Sequence, residues 1–511
     1  MRRRAAAALL LCFLAASPTL VGGAAPRTAR HCLVALGTIR DYHVPGARYD
    51  LVIVSPETPL DAALKRARRA HPDALVLGYL NTMDMNELMP GARSALRRNE
   101  DWFLHDATGR RVQVRIDKYQ GSRARYGMNV SRTGYQDFLA ARAIEILGAG
   151  YDGLHLDNVE TDSSYHPRHV GSFISALPVE LDHESWPGAE RAMLQRIRAK
   201  VTEAGFGERP IVINDIRSGE PEVSRLYLRE VEGANCENWL SRDRPHDGPF
   251  GWKAKVDQAA EVARGGKILN LICKTPSVGA EESLYLFASY LLALDGDRLY
   301  FYHGSGYRPE STRWHDFYDL DIGRPEGDMA RRDGLYVRGF TAGFVAVNPF
   351  DGARTITLPE GLVDAAYEPV SSLTLKAKSA ALLMRADPAA GRRVIIEGED
   401  LALTGRAVVQ AREGASGGKV LRFEEAQAEA GTKVDLEPGR YRLVVDGFGE
   451  NPQADACFVR FDRVEKRIYF AAGHRPFLEV QAEGGSRPLS VRAAEPGVML
   501  DRLVIIRLAS R

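Results

Sequence analysis

Tyr151-Asp-Gly-Leu-His-Leu-Asp-Asn-Val-Glu-Thr-Asp162 is the stretch whose reading decides the fold. Gly153-Leu-His-Leu156 is a short, mostly apolar run. A helix-like segment over 134–147 and a Gly-Ala-Gly break precede it, and it ends on Asp157-Asn158. An apolar run that finishes on a carboxylate and an amide, then opens into polar residues, reads as a strand of a buried parallel sheet. Its C-terminal end is where a barrel of such strands carries its chemistry. Asp157 is therefore the first candidate catalytic carboxylate. Glu160 and Asp162, farther along, read as acids on a solvated rim.

Seven more runs of the same texture surround this one: Cys32-Leu-Val-Ala-Leu-Gly37, Asp50-Leu-Val-Ile-Val-Ser55, Ala74-Leu-Val-Leu-Gly-Tyr-Leu80, Pro210-Ile-Val-Ile-Asn214, Val231-Glu-Gly-Ala-Asn-Cys236, Lys267-Ile-Leu-Asn-Leu-Ile-Cys273 and Arg298-Leu-Tyr-Phe-Tyr302. Helical spacing of apolar residues appears over 59–70, 134–147, 188–204, 253–263 and 280–294. Near-continuous apolar strands alternating with helices imply a parallel sheet covered on both faces, and eight units imply a (β/α)8 TIM barrel over 30–330. The link between the first two strands is short and contains Pro45 and Gly46, so a degenerate first helix is expected. Two long excursions, 81–129 and 160–187, leave C-terminal strand ends and should wall the site.

After about residue 330 the pattern alternates in strand fashion between Gly and Pro turns. A small antiparallel β domain is expected over 331–388, with a linker at Ala386-Asp-Pro-Ala-Ala-Gly391. A β-sandwich (jelly roll) is expected over 392–511, where helical periodicity is nearly absent.

The N-terminus reads as an export signal over residues 1–25. Arg2-Arg3-Arg4 leads a 12-residue apolar core, too short to span a bilayer, followed by small residues at Ala24-Ala25. A secreted or periplasmic location, with no membrane partner after cleavage, is the expectation. Removing this leader moves the formal net charge from +1 to −2. Such balance argues against nucleic acid, which calls for a basic stripe. Cys32, Cys236, Cys273 and Cys457 form no CxxC pair, which argues against a zinc site. They read as buried free thiols, with a Cys236–Cys273 bridge between neighbouring strands as the alternative. HExxH and P-loop motifs are absent.

Three strand ends offer an acid: Asp157 on the fourth, Asp215 on the fifth and Glu237 on the sixth. Asp157 and Glu237 lie two strands apart, on one side of the mouth, where a pair of carboxyl groups can flank a scissile glycosidic bond. Asp215 reads equally as a turn or helix cap. Neutral or basic hydrogen-bonding groups gather at the same ends: Tyr79, Asn81, Asn129, Asn158, Asn214, Lys274 and His303. Sugar hydroxyls require such partners, although an Asn at a strand end is also a turn former. Trp102 and Trp239 could stack on sugar faces or pack on the barrel rim. His155 is placed to point into the barrel, but with His303 alone it is too little for a metal-dependent hydrolase.

These residues carry a family resemblance. Tyr151-Asp-Gly-Leu-His-Leu-Asp-Asn-Val159 resembles the strand motif of endo-α-1,4-polygalactosaminidase-related TIM-barrel glycosyl hydrolases. Trp102-Phe-Leu-His-Asp-Ala-Thr-Gly109, Tyr336-Val-Arg-Gly-Phe340 and Gly343-Phe-Val-Ala-Val-Asn-Pro349 are similar to further stretches of that group. The resemblance covers about residues 30–385 and implies Asp157 as nucleophile and Glu237 as acid/base, acting without a catalytic cofactor. The last unit resembles carbohydrate-binding modules of families 6 and 35. The matching pieces are Ile396-Glu-Gly-Glu399, Ala415-Ser-Gly-Gly-Lys419, Pro438-Gly-Arg-Tyr-Arg-Leu443 and Leu500-Asp-Arg-Leu-Val504. This second resemblance implies a structural Ca2+ held by Glu397, Glu399 and Asp501. The loop over 450–453 holds no aromatic on which to place the sugar-binding residues of such modules.

The expectation is thus an exported glycoside hydrolase that cleaves O-glycosidic bonds of a poly- or oligosaccharide by a retaining two-carboxylate mechanism. The alternative is a non-catalytic carbohydrate-binding or surface protein that keeps the barrel as a scaffold. A carboxyl separation far beyond about 10 Å would favour the alternative.

Overall fold

The computed structural model describes residues 28–508 apart from 86–93, 95–96, 118–122, 160–178, 182–183, 215, 217–220, 242–250, 387–392, 450–455 and 471–474. The expected leader, Glu160, Asp162 and Asp215 lie outside the described residues.

Eight parallel strands follow one another in chain order: Cys32–Ala35, Leu51–Val54, Leu75–Asn81, Gly153–Asp157, Ile211–Ile213, Gly233–Glu237, Ile268–Lys274 and Leu299–Gly304. They are the first to eighth barrel strands below. His31 bridges Phe301 in parallel, and the Phe301 amide donates to the Arg30 carbonyl at 3.0 Å, which brings the ring almost to closure. Leu51–Val54 and Leu299–Gly304 are buried throughout, because helices cover the outside and side chains fill the inside. That double burial is the reason each strand reads as an unbroken apolar run.

Helices Ala62–Ala70, Thr133–Gly148, Trp186–Glu203, Trp252–Arg264 and Ala280–Ala293 occupy the segments with helical spacing. Pro221–Leu228, between the fifth and sixth strands, is an additional helix that the sequence reading does not contain. No helix joins the first two strands, as the short link with Pro45 and Gly46 requires. The first excursion builds a three-stranded sheet from Asp84–Met85, Gln113–Asp117 and Arg123–Gly127. Its turn at Asp106 is held by the Asp106 carboxylate, which accepts from the Thr108 amide at 2.8 Å.

Beyond the barrel, Pro325–Arg332, Leu335–Phe340, Gly343–Asn348, Ser379–Arg385 and Leu362–Val363 form a five-stranded antiparallel sheet. From Ser283 onward, Ala280–Ala293 is buried on every face, because it packs against this sheet as well as against the eighth barrel strand. A helix covered on all sides is apolar nearly all round, and the two charged residues of this one, Glu281 and Glu282, stay exposed in its first turn. Arg338 of the sheet donates to the Leu292 and Leu294 carbonyls at 2.9 and 2.6 Å, satisfying the helix's C-terminal end. Two further antiparallel sheets, of six and five strands, enclose a core that includes Leu421, Phe423, Leu443, Val459, Val491 and Leu503. Val444, Phe477, Val504 and Ile506 belong instead to the large apolar core shared with the barrel, so the sandwich is docked on it.

All four described cysteines are buried and free. The Cys236–Cys273 bridge is not formed: strand register sets Cys236 opposite Leu271 and Cys273 opposite His303.

Candidate active site

The fourth and sixth barrel strands are built alike. Each has five residues, begins with glycine and ends on an acid: Gly153-Leu-His-Leu-Asp157 and Gly233-Ala-Asn-Cys-Glu237. An acid precedes each glycine and accepts from a strand amide next door. Asp152 takes the Val76 amide and Glu232 the Ile211 amide, both at 2.8 Å. Glycine is required because a Cβ on Gly153 would meet Pro210 O at 2.5 Å, and one on Gly233 would meet Ile268 O at 2.3 Å. After each terminal acid comes an asparagine in the left-handed region, Asn158 at φ 61° and Asn238 at φ 54°. Asparagine tolerates that region better than most residues, and there it ends the strand abruptly, leaving the acid at the barrel mouth.

The middle residues of the two strands meet inside the barrel. Asn235 Nδ2 lies 2.6 Å from His155 Nε2, and Asn235 Oδ1 accepts from Asn270 Nδ2 at 2.7 Å. Burial lowers the His155 pKa, against the opposing pull of Asp157 and Glu237, so the ring is neutral. The Tyr79 ring stacks on His155 at 5.9 Å. This layer is the floor beneath the two acids.

Above it the carboxylates come together. The Tyr79 hydroxyl donates to Asp157 Oδ2 at 2.5 Å, and Asn214 Nδ2 donates to Asp157 Oδ1 at 2.8 Å. The same Asn214 nitrogen lies 3.3 Å from Glu237 Oε1. Lys274 Nζ donates to Glu237 Oε2 at 2.9 Å, and the Tyr307 hydroxyl donates to Oε1. Burial first, and then the Asp157 charge, push the Tyr79 phenol well above its ordinary pKa, so it stays a neutral donor. Two acids thus face one space, each with fixed donors and neither sealed off, since Asp157 is only half-buried and the Glu237 side chain keeps 22% exposure.

Of the expected residues, Asp157, Glu237, Tyr79, Asn214 and Lys274 are brought together. Others are used elsewhere. Trp239 is fully buried, with Nε1 donating to the Lys255 carbonyl, so it is a core side chain and no sugar platform. Trp102 packs against Phe138 and Tyr135 of helix Thr133–Gly148 at 5.5 and 5.9 Å. Asn81 turns its amide onto Asp84 at 3.0 Å, and its oxygen accepts the Met83 and Asp84 amides. Asn129 accepts from Ser131, and Asn158 serves as the strand terminator. His303 is buried between Thr275 and Ser283, at 2.7 and 2.9 Å. Tyr307 is the residue that sequence reasoning passes over. It sits in a Gly-Ser-Gly loop after the eighth strand, with no local signal of its role. The matching pattern of the fourth and sixth strands was, by contrast, available in the sequence.

The expected Ca2+ ligands lie at one end of the sandwich. The Ser416 amide donates to Asp501 Oδ1 at 2.9 Å, and Ser416 Oγ lies 3.1 Å from Glu397 Oε1. Oε2 of Glu397 and Oε2 of Glu399 are buried without a hydrogen-bond partner. Burial first, with the Asp446 charge and then that of Glu397 adding to it, raises the Asp501 pKa against the Ser416 amide and Arg502. Among the described residues no three acidic, histidine or cysteine side chains already converge as ligands.

The family model described as hypothetical glycosyl hydrolase family 15 matches residues 68–344. No curated protein matches the chain. Solved structures do, at low identity. A cycloisomaltooligosaccharide glucanotransferase from Paenibacillus sp. is 12% identical, with a TM-score of 0.32. The match covers 93% of this chain and 57% of that longer one. The glycoside hydrolase domain of PelA from Pseudomonas aeruginosa is 15% identical, over 56% of this chain and 99% of that one, with a TM-score of 0.36. A family 35 carbohydrate-binding module from Clostridium thermocellum is 15% identical, over 22% of this chain and 98% of that one, with a TM-score of 0.20.

Proposed function

The chain belongs to hypothetical glycosyl hydrolase family 15, and on that premise we propose that it is an exported, retaining glycoside hydrolase acting on a poly- or oligosaccharide. The observation that carries this reading is the amide of Asn214 shared between Asp157 and Glu237. Two bonds from one nitrogen limit the nearest carboxylate oxygens to at most about 6 Å apart. So close an approach of the two acids favours the pairing of retaining enzymes, about 5 to 5.5 Å between carboxyl groups, over the wider spacing of roughly 6.5 to 9.5 Å with which an inverting enzyme seats a water.

In the first half-reaction Asp157 attacks the anomeric carbon while the Glu237 carboxyl proton passes to the departing glycosidic oxygen. In the second, Glu237 as carboxylate takes a proton from water. The water oxygen bonds to the anomeric carbon, and Asp157 leaves. Tyr79 and Asn214 hold the Asp157 oxygens in place for attack and for departure. The close pairing of the acids is what a scaffold that only binds sugar would not need. A panel of oligosaccharides, with the first-formed product anomer read by NMR, tests the reading. Retention is expected, and an inverted product overturns the mechanism. Asp157→Asn and Glu237→Gln should each reduce hydrolysis by at least about 10²-fold with the fold intact, and unchanged activity in either removes that residue from its role.

For the sandwich we propose a structural Ca2+ on Glu397, Glu399 and Asp501. Buried carboxylate oxygens without partners suit a hard cation. Added Ca2+ should raise the melting temperature of the chelator-treated protein, and Glu399→Gln should abolish that rise.

A further inference from the structure

Glu237 is one corner of a closed triangle. Lys274 Nζ donates to Glu237 Oε2 at 2.9 Å and to the Tyr307 hydroxyl at 2.8 Å, and that hydroxyl donates to Glu237 Oε1. The Lys274 ammonium also lies 4.4 Å from the centre of the Tyr307 ring, within cation–π range. Three successive parts of the barrel supply the corners. Glu237 ends the sixth strand, Lys274 ends the seventh, and Tyr307 stands in the loop after the eighth. Each support is itself pinned. The Lys274 amide donates to Ser241 Oγ at 2.8 Å, and the Tyr307 carbonyl accepts at 3.2 Å from the amide of Leu36, the residue just after the first strand. The triangle therefore ties the sixth, seventh and eighth strands to the first across the barrel mouth.

Resting on the retaining reading above, we infer that Lys274 and Tyr307 are positioning residues for the acid/base, holding the Glu237 carboxyl group in one orientation through both of its protonation states. Glu237 must present a proton in the first half-reaction and a bare carboxylate in the second. A hydroxyl has one donor and two acceptor sites, so Tyr307 can serve both forms. Facing the carboxylate, it donates to Oε1 and accepts from Lys274. Both bonds persist in the protonated acid, whose proton then sits on the remaining lone pair of Oε2, the one Lys274 does not occupy, and passes from there to the leaving oxygen. Lys274 has protons only to give and fixes the other oxygen. The carboxyl plane is thus held through both states with no heavy atom moving, so the path from Glu237 to the leaving oxygen stays aligned.

Leaving-group chemistry provides the test. An oligosaccharide leaves as an alkoxide unless it is protonated, whereas a nitrophenyl glycoside of the same sugar leaves without help. Tyr307→Phe and Lys274→Met should lower kcat/KM on the oligosaccharide by about 10²-fold and on the nitrophenyl glycoside by no more than about threefold. Lys274→Arg should recover part of the loss, because it restores a cationic donor. Equal losses on both substrates, in variants whose melting temperatures match the parent, overturn the inference and assign the triangle to general structure. Tyr307→Phe keeps the ring and its packing, so it remains readable if Lys274→Met fails to fold. Hydrolysis by the unsubstituted protein is measured first on the same pair. Its absence sinks the functional reading and this inference with it, whereas activity with an undiscriminating loss sinks the inference alone.

Discussion

Asp157 and Glu237, at the ends of the fourth and sixth strands, are bound to the same atom, the side-chain nitrogen of Asn214, at 2.8 and 3.3 Å. Asn214 comes just after the fifth strand, between them in the ring. One donor thus sets the position of both acids, and their separation depends on it. Asn214→Ala should lower kcat by about 10- to 10²-fold, because misplacement of a reacting group by about 1 Å costs that much. Asn214→Asp should cost more, since it adds a third carboxylate where a donor stood. Steady-state kinetics of the two variants checks the order, and an Asn214→Ala enzyme as fast as the parent would refute it.

The glycines that open the two acid-bearing strands should resist substitution. A Cβ on Gly233 would fall 2.3 Å from Ile268 O and 2.6 Å from Ile268 Cβ. Gly233→Ala must push the sixth and seventh strands apart, which should destabilise the protein by about 1 to 3 kcal/mol. Urea unfolding measures the loss. Gly148→Ala, where nothing lies within 4 Å of the added Cβ, is the control.

His303 gives the protein an acid-sensitive component. Burial between Thr275 and Ser283 lowers its pKa from 6.5 to about 4. The folded protein keeps the ring neutral, while the unfolded chain takes up the proton first as pH falls. The stabilisation is therefore fully present above about pH 6.5 and drains away as pH drops toward 4, by up to roughly 3 kcal/mol. His303→Gln should flatten the fall of melting temperature across that window relative to the parent. Parallel curves for the two proteins would contradict this.

Asp446 holds the sandwich against the sheet that follows the barrel. It accepts from Arg475 Nε at 2.6 Å and from Arg502 Nε at 2.8 Å. The same two arginines reach across to Asp364 at 2.9 Å and Glu368 at 3.0 Å. Asp446→Ala leaves two guanidinium groups facing each other at a partly buried contact, which should cost on the order of 2 to 3 kcal/mol. Calorimetry should then resolve a separate transition for the sandwich. A single unshifted transition would show that the apolar contact alone couples the two parts.

The barrel was legible because its physics is local. Every strand buried on both faces needs an apolar run, and every crossover helix needs apolar residues at helical spacing, so eight strands and five helices can be read from periodicity. The short helix Pro221–Leu228 escaped because eight residues carry barely two turns of that signal. The ends of strands were legible as positions but not as directions. Trp239 follows Glu237 by two residues, yet the left-handed turn at Asn238 sends the ring into the core while the acid stays at the mouth. His303 and Asn81 likewise stand at strand ends with their side chains held by inward or local partners.

What the sequence by itself determined is the order of the strands and the placing of Asp157 and Glu237 on the fourth and sixth of them. Strand order follows chain order in a barrel of right-handed crossovers. What only the tertiary structure decided is the set of partners: Asn214 shared by both acids, Tyr79 on Asp157, and Lys274 with Tyr307 on Glu237. Those contacts join residues far apart in the chain. Whether they form depends on barrel closure and side-chain direction, which no local pattern of residues encodes.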